Sequence, residues 1–172
     1  GMHMTLSMLA NGADEEARQE LTTFLGAKDL QSLNGFNKLM LTELPKVDNT
    51  VKFSLANSAW FDNAITPGQQ FVDVCRSVFT ASVFSYDKGS SKAMQDVNKW
   101  CSDNTGGMIP AFLSEPPSGN FLLLNAAYFN GKWKNPFDAA LTAKEEFTCE
   151  SGKKATVDMM HLSGVKVNWC KT

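Results

Sequence analysis

No stretch of this sequence holds the roughly 20 consecutive apolar residues that a membrane helix needs; the longest such run, around Phe121 to Phe129, is about half that length. Charge of one sign is equally lacking. Sixteen Lys and Arg stand against 18 Asp and Glu, and the formal charge of −2 gives no bias towards a polyanion, so nucleic acid is a poor partner. Histidine is scarce, with only His3 and His161, and neither lies in an HExxH or other His-rich setting. A Ser-His-Asp hydrolase would need one of them beside a nucleophile, and no GxSxG elbow is present. Phosphate loops of the GxxxxGK[ST] or GxGxxG type are missing, and the glycines fall at helix ends and turns. The four cysteines, Cys75, Cys101, Cys149 and Cys170, are far apart with no CxxC and no Cys/His finger spacing, which excludes a structural zinc site. No Asn-x-Ser/Thr acceptor occurs, which counts against an N-glycosylated secreted protein. No enzyme, cofactor or metal site is expected from these residues.

What is present is an ordinary globular composition, 43% hydrophobic, 10% aromatic and 20% charged, so a packed core is expected. A length of 172 residues suits one domain. Its two ends read as cut from something larger. Gly1 to Leu9 opens inside an apolar helical pattern without an N-cap or a signal-peptide n-region, and Val165 to Cys170 reads as a strand that stops two residues before the chain does. Cys75 and Cys101 fall on the apolar stripes of expected helices, as buried thiols do. Cys149 and Cys170 bracket an expected strand pair, and the sequence leaves open whether they are bridged.

Periodicity predicts a helix to about Asn11, then a second capped by Asp14 with Ala17, Leu21, Phe24 and Leu25 inward, ended by Gly26. A third covers about Asp29 to Glu43, with Leu33, Phe36, Met40 and Leu44 as its stripe and Pro45 as its stop. Val51 to Phe61 then alternates as a long strand. Phe71, Val74, Cys75, Val78 and Phe79 mark an amphipathic helix. Ala81 to Tyr86 follows as a short strand, and a helix from about Ser91 to Asn104 presents Met94, Val97, Trp100 and Cys101. Phe121 to Phe129 is apolar on both pleat faces, which predicts a central strand covered on both sides. Glu146 to Cys149, Lys154 to Met160 and Val165 to Cys170 are three short strands after a turn at Pro136-Phe137.

Asn125 is the one polar residue inside the Phe121 to Phe129 run, and a buried amide without partners costs roughly 1–3 kcal/mol. It reads either as a satisfied core amide that fixes register or as a node that joins two strands in one state and releases them in another. Trp133, just past the strand, is by default a core or rim aromatic.

These residues also resemble a known family. Leu124-Asn125-Ala126-Ala127-Tyr128-Phe129-Asn130-Gly131-Lys132-Trp133, followed by Pro136-Phe137, Thr142, Phe147 and Val157-Asp158-Met159-Met160, is similar to the serpin pattern N-A-x-Y-F-x-G-x-W, P-F, T, F, V-x-M-M. Val97-Asn98-Lys99-Trp100 with Thr105, Gly107 and Ile109 resembles the I-N-x-W-V-x-x-x-T-x-G-x-I helix of the same family. Leu55 to Phe61 resembles its L-A-N-A-x-F strand, and Met8-Leu9 with Gly12-Ala13 the end of its helix B. The matches run in family order along essentially the whole chain. Ala17 stands where the family usually has Thr, Cys101 where it often has Val, and the Ser-Pro-x-Ser opening of helix B is absent.

The resemblance implies an α+β fold with helices around a large mixed sheet A and parts of sheets B and C. Residues 1–172 would be an incomplete serpin domain, from helix B to the first strand of sheet B, without the reactive-centre loop and the C-terminal strands. The Ser91 to Asn104 helix would be helix F and Phe121 to Phe129 strand 3 of sheet A. It further implies an inhibitor of a serine or cysteine protease, acting through a loop outside these residues that inserts into a metastable sheet. The alternative is a non-inhibitory carrier, chaperone or storage protein of the same fold. Asn125, Trp133, Asn98 and Trp100 would be the sheet-opening and conformational-switch residues. The remainder of the same polypeptide would be a partner, and an extracellular or periplasmic setting is favoured.

Overall fold

The computed structural model describes residues 1–166. It divides into two units, Gly1–Gly131 and one beginning at Lys132.

The first unit begins with three helices, α1 (Met2–Gly12), α2 (Glu15–Phe24) and α3 (Leu30–Glu43). Local chemistry sets their starts. The Asp14 side chain accepts from Ala17 N at the head of α2, and Asp29 forms a capping box with Ser32 at the head of α3. Pro45 cannot continue α3 and sits in the 3-10 turn Leu44–Lys46. Two residues expected on inward stripes are not buried: Phe24 is 76% exposed and Phe36 50%. Thr22 and Asn37 are buried instead, each bonding the carbonyl one turn back, Arg18 O and Leu33 O.

β1 (Lys52–Asp62), α4 (Gln69–Ser77), β2 (Ser82–Tyr86), α5 (Ser91–Asn104) and β3 (Phe121–Asn130) complete the unit. Their strands form a mixed sheet in the order β2-β1-β3, with β2 parallel and β3 antiparallel to β1. Each face of this sheet has its own core. Ala59 and Phe61 of β1 pack with Met4 and Met8 of α1, Cys75 of α4, and Phe79 and Ala81. On the opposite face Trp60 of β1 and Ala126 of β3 pack with Ala93, Val97, Trp100 and Cys101 of α5 and with Tyr86. Successive residues of a strand point to opposite faces, so an uninterrupted apolar run serves both cores at once. Burying a side chain such as Val97 or Phe79, both fully covered, stabilises the fold by about 1.5–3 kcal/mol.

Contacts on both faces of β3 match its sequence, although most of the strand is only half-buried or exposed. β1 is the middle strand, and among the described residues β3 has a neighbour on one side only. Phe121 and Phe129 at its ends are 50% and 69% exposed. Two-sided apolarity reports helical layers above and below a strand, and both a middle strand and the strand beside it can have those.

The α4–β2 connection passes through Thr80 at φ 49, a left-handed conformation that a β-branched residue rarely adopts. Its hydroxyl donates to Phe79 O. The chain leaves α5 through Gly106, whose φ of 60 and contact with the Tyr128 ring, 3.1 Å from where a Cβ would sit, both call for glycine.

In the second unit Ala143–Thr148 (β4) and Lys154–Met159 (β5) pair antiparallel. Lys144–Asp158 and Lys154–Glu146 ion pairs cross this hairpin; both are exposed and worth little. The strand expected at Val165 to Cys170, with any bridge from Cys149 to Cys170, lies outside the described residues apart from Val165 and Lys166, which are not in a strand.

Candidate functional site: the β1–β3 node and the α5 strap

Asn57 of β1 and Asn125 of β3 stand opposite one another in the antiparallel register. Asn125 Nδ2 donates to Asn57 Oδ1 at 2.8 Å and to Ala56 O at 3.3 Å. Asn57 Nδ2 in turn donates to Phe79 O at 2.9 Å. Three hydrogen bonds thus link β3, β1 and the turn that leaves α4. Asn57 is 2% exposed, so its bond to Phe79 O is shielded from competing water, whereas the two bonds from half-buried Asn125 are shielded only in part. Asn125 Oδ1 is buried with no partner among the described residues, and a Cβ on Gly1 would lie 3.6 Å from it. A buried acceptor left unpaired costs roughly 1–3 kcal/mol, which makes this end of the node a source of instability.

Asn98 does something different on the other face. Its Oδ1 accepts from Phe112 N at 2.9 Å and Leu113 N at 2.7 Å, and its Nδ2 donates to Leu113 O at 2.9 Å. The loop returning from α5 is therefore clamped to the helix by three bonds from one side chain. Trp100, 9% exposed, lies in the core between α5 and the sheet. Thr105 holds the end of the helix: its hydroxyl donates to Cys101 O at 2.7 Å and accepts from Ile109 N at 3.1 Å.

The segments that lead into α5 and return from it are tied to one end of the sheet. Asp62, the last residue of β1, accepts from Ala64 N and Lys88 N at 3.0 and 2.9 Å, and these two bonds hold its carboxyl below the ordinary carboxylate value. Tyr86 donates to Gly119 O at 2.7 Å, and Gly89 N donates to Pro117 O at 2.8 Å. Burial pushes the Tyr86 hydroxyl up, with the Asp62 charge adding to it. α5 is in effect a strap over the sheet, fastened before and after the helix and clamped along its return loop.

The four residues singled out from sequence do not form one cluster. Asn125 faces the α1 core, whereas Trp100 lies in the α5 core on the opposite face, and Asn98 faces the return loop. Trp133 belongs to the second unit, where it is 69% exposed and meets Phe137 edge to face at 5.8 Å; it is not a core aromatic there. Asn57 was missed. The signal that could have found it is a second amide inside an apolar strand, because the donors of a buried Asn125 require an acceptor close by.

The remaining chemistry is sparse. Burial pushes the Cys75 thiol up to about 11 and the Cys101 thiol in the same direction, which makes both poor nucleophiles. His161 pairs with Glu145 at 2.8 Å on the surface. Among the described residues no group of three or more His, Cys, Asp or Glu is placed to hold a metal ion, and no helix is long and apolar enough to cross a membrane.

A profile described as Serpin (serine protease inhibitor) matches residues 1–168. A protein named Serine protease inhibitor from Cyanea capillata is 30% identical over 169 residues, covering 92% of this chain and 44% of its own length. Serpin A12 of Mus musculus is 27% identical over 163 residues, covering 92% of this chain and 40% of that protein. Among solved structures, the Arabidopsis serpin AtSerpin1 in its native stressed conformation superposes with a TM-score of 0.79 at 26% identity, covering 94% of this chain and 43% of that one. The chain spans less than half the length of the curated relatives it matches.

Proposed function

Because this chain belongs to the serpin family, we propose that the protein containing it inhibits a serine-type endopeptidase by inserting a cleaved loop beside β3. The observation that carries this reading is the match of the serpin profile to residues 1–168, within which β3 is the strand beside which the loop would enter. β3 is ten residues long and partly buried, with Leu123 packed on the α1 core and Leu122, Leu124 and Ala126 on the α5 core, and among the described residues one of its edges is unpaired. Such an edge offers a row of backbone donors and acceptors to an incoming strand.

In this mechanism the protease serine hydroxyl attacks the scissile carbonyl of a loop outside these residues. The peptide bond breaks, the new amino terminus takes the proton, and an ester joins loop to protease. Insertion of the loop as a strand then competes with attack by water on that ester. The free energy released by filling the sheet would leave the protease distorted and unable to finish hydrolysis, so trapping is kinetic.

The residues of this chain would set the barrier. Asn125 and Asn57 fix β3 to β1, and we assign them to the resistance of the sheet to opening. Asn98 and Trp100 hold the α5 strap over the face that must adjust as a strand enters. Trp133, just past β3, is assigned to the same transition through the segment that leaves the sheet. A serine or cysteine protease and the remainder of the polypeptide are the proposed partners, in an extracellular or periplasmic setting.

The test is to mix the full-length protein with trypsin-, chymotrypsin- and elastase-like proteases and look for a covalent complex that survives SDS. Loop cleavage with no complex from any of them would favour the non-inhibitory carrier, chaperone or storage reading.

A further inference from the structure

A cavity of about 390 Å³ lies where α1, α2 and α4 converge on the ends of β1 and β3. Its walls are mainly apolar, with Leu9, Phe61, Phe71 and Leu123 prominent, and exposed Gly68 and Gln70 stand at its rim. Gly12 allows the closure of one wall, since a Cβ there would be 2.9 Å from the Phe71 ring. A space of this size falls at the lower end of the range for small-ligand sites, roughly 300–1,000 Å³.

One cation lines it. Arg18 donates through one terminal nitrogen to Ala13 O at 2.8 Å. Its Nε is buried with no partner among the described residues. No ion pair reaches Arg18 among those residues, although Asp14, Glu15, Glu16 and Glu20 are all close in sequence; their side chains are exposed. A guanidinium with an unused N–H beside an apolar hollow is half of a recognition site. Its planar fork suits a carboxylate, and the surrounding rings and leucines suit an apolar body.

We infer that this cavity binds a small monocarboxylate with a compact apolar body, its carboxylate on Arg18 and its body between Phe61, Phe71 and Leu123. The carboxylate would pair with the terminal guanidinium nitrogen that does not bond Ala13 O, and the apolar body covers walls now facing the hollow. Because the floor is the end of β1 and β3, occupancy would also stiffen the end of the sheet to which the α5 strap is tied. The inference does not depend on protease inhibition.

The test uses 2-naphthoate and its neutral analogue 2-naphthamide with the full-length protein, followed by calorimetry and by line broadening of the ligand in NMR. Naphthoate should bind, with the amide weaker by about tenfold or more, the usual effect of losing one charge-assisted bond. Arg18→Met should weaken naphthoate by a similar factor and leave the amide unchanged. Leu9→Trp, which fills the hollow, should abolish both. Equal binding of acid and amide by the wild-type protein would overturn the proposal even if Arg18→Met failed to fold. So would no binding at all, the outcome expected if another segment of the polypeptide occupies the cavity.

Discussion

β1 and β3 are neighbours paired over ten positions, and both are sandwiched between the same helical layers, yet they differ in how far they are closed off. At the Phe61–Phe121 pair, directly opposed in the register, Phe61 is 8% exposed and Phe121 50%. β1 is buried on both faces from Asn57 to Asp62 and has a strand on either side. β3 contacts the same layers and, among the described residues, pairs on one side only. The difference teaches that contact with a layer above and below does not by itself enclose a strand: β1 is buried from Asn57 to Asp62, whereas β3 is mostly half-buried or exposed.

The largest effect should appear at that phenylalanine pair. Phe61→Ala in the full-length protein should cost about 3–5 kcal/mol by chemical denaturation, and Phe121→Ala only about 1 kcal/mol, since half of its ring is already in water. Equal costs would break the comparison and mean that β3 is as enclosed as β1.

The amide node comes next. Asn57→Ala removes the bond to Phe79 O and the acceptor of Asn125 together, whereas Asn125→Ala removes the donor to Asn57 but also an unpaired acceptor. The first should fall near the top, and the second near the bottom, of the roughly 1–3 kcal/mol range for a buried group left unpaired. For Asn125→Ala the cost should fall on the closed sheet, giving faster polymerisation on mild heating and fewer proteases trapped per inhibitor. Polymerisation at the wild-type rate, read on native gels, would return Asn125 to the role of a core amide that fixes register.

A smaller effect is expected on the strap. Asn98→Ala should cost about 1 kcal/mol, because the Phe112 end of the clamp is exposed and water can replace its bonds. Amide exchange at Phe112 and Leu113 should accelerate while exchange in β1 stays as it was. Acceleration in β1 as well would mean that strap and sheet open as one unit.

The smallest effect is electrostatic. The Asp62 carboxyl is held below its ordinary value by two backbone donors, so its charged form stabilises the folded state. That contribution is complete above the unfolded value, about pH 3.9, and disappears as pH falls through the lower folded one. Asp62→Asn should flatten the acid limb of the stability profile below about pH 4 and leave its shape near neutrality unaltered. An acid limb identical to wild type would remove Asp62 from the anchoring of the strap.

Much of this was legible in the residues. Asp14 caps the helix expected of it, because capping is decided within three residues of chain, and Asp29 and Ser90 cap α3 and α5 by the same local bond. The α5 stripe also holds, with Val97, Trp100 and Cys101 buried as spaced. Where the reading failed, the missing information was non-local. Phe24 and Phe36 lie at helical spacing, but a stripe does not say whether anything packs on its far end. The two-sided apolarity of β3 could not separate a middle strand from its neighbour. Asn57 became visible only when the β1–β3 register set it opposite Asn125, and register is fixed across some 68 residues of intervening chain. The family motifs marked Asn125, Asn98, Trp100 and Trp133 together, whereas the fold distributes them over two sheet faces, a loop clamp and a separate unit.

The proposal that a cleaved loop inserts beside β3 is tested most directly by amide hydrogen exchange of residues 121–130. The full-length protein would be compared before and after cleavage of its reactive loop. Insertion predicts a marked slowing of exchange along β3 once the loop is cut, as edge amides become paired between two strands. Exchange in β3 that is unchanged or faster after cleavage would contradict the account.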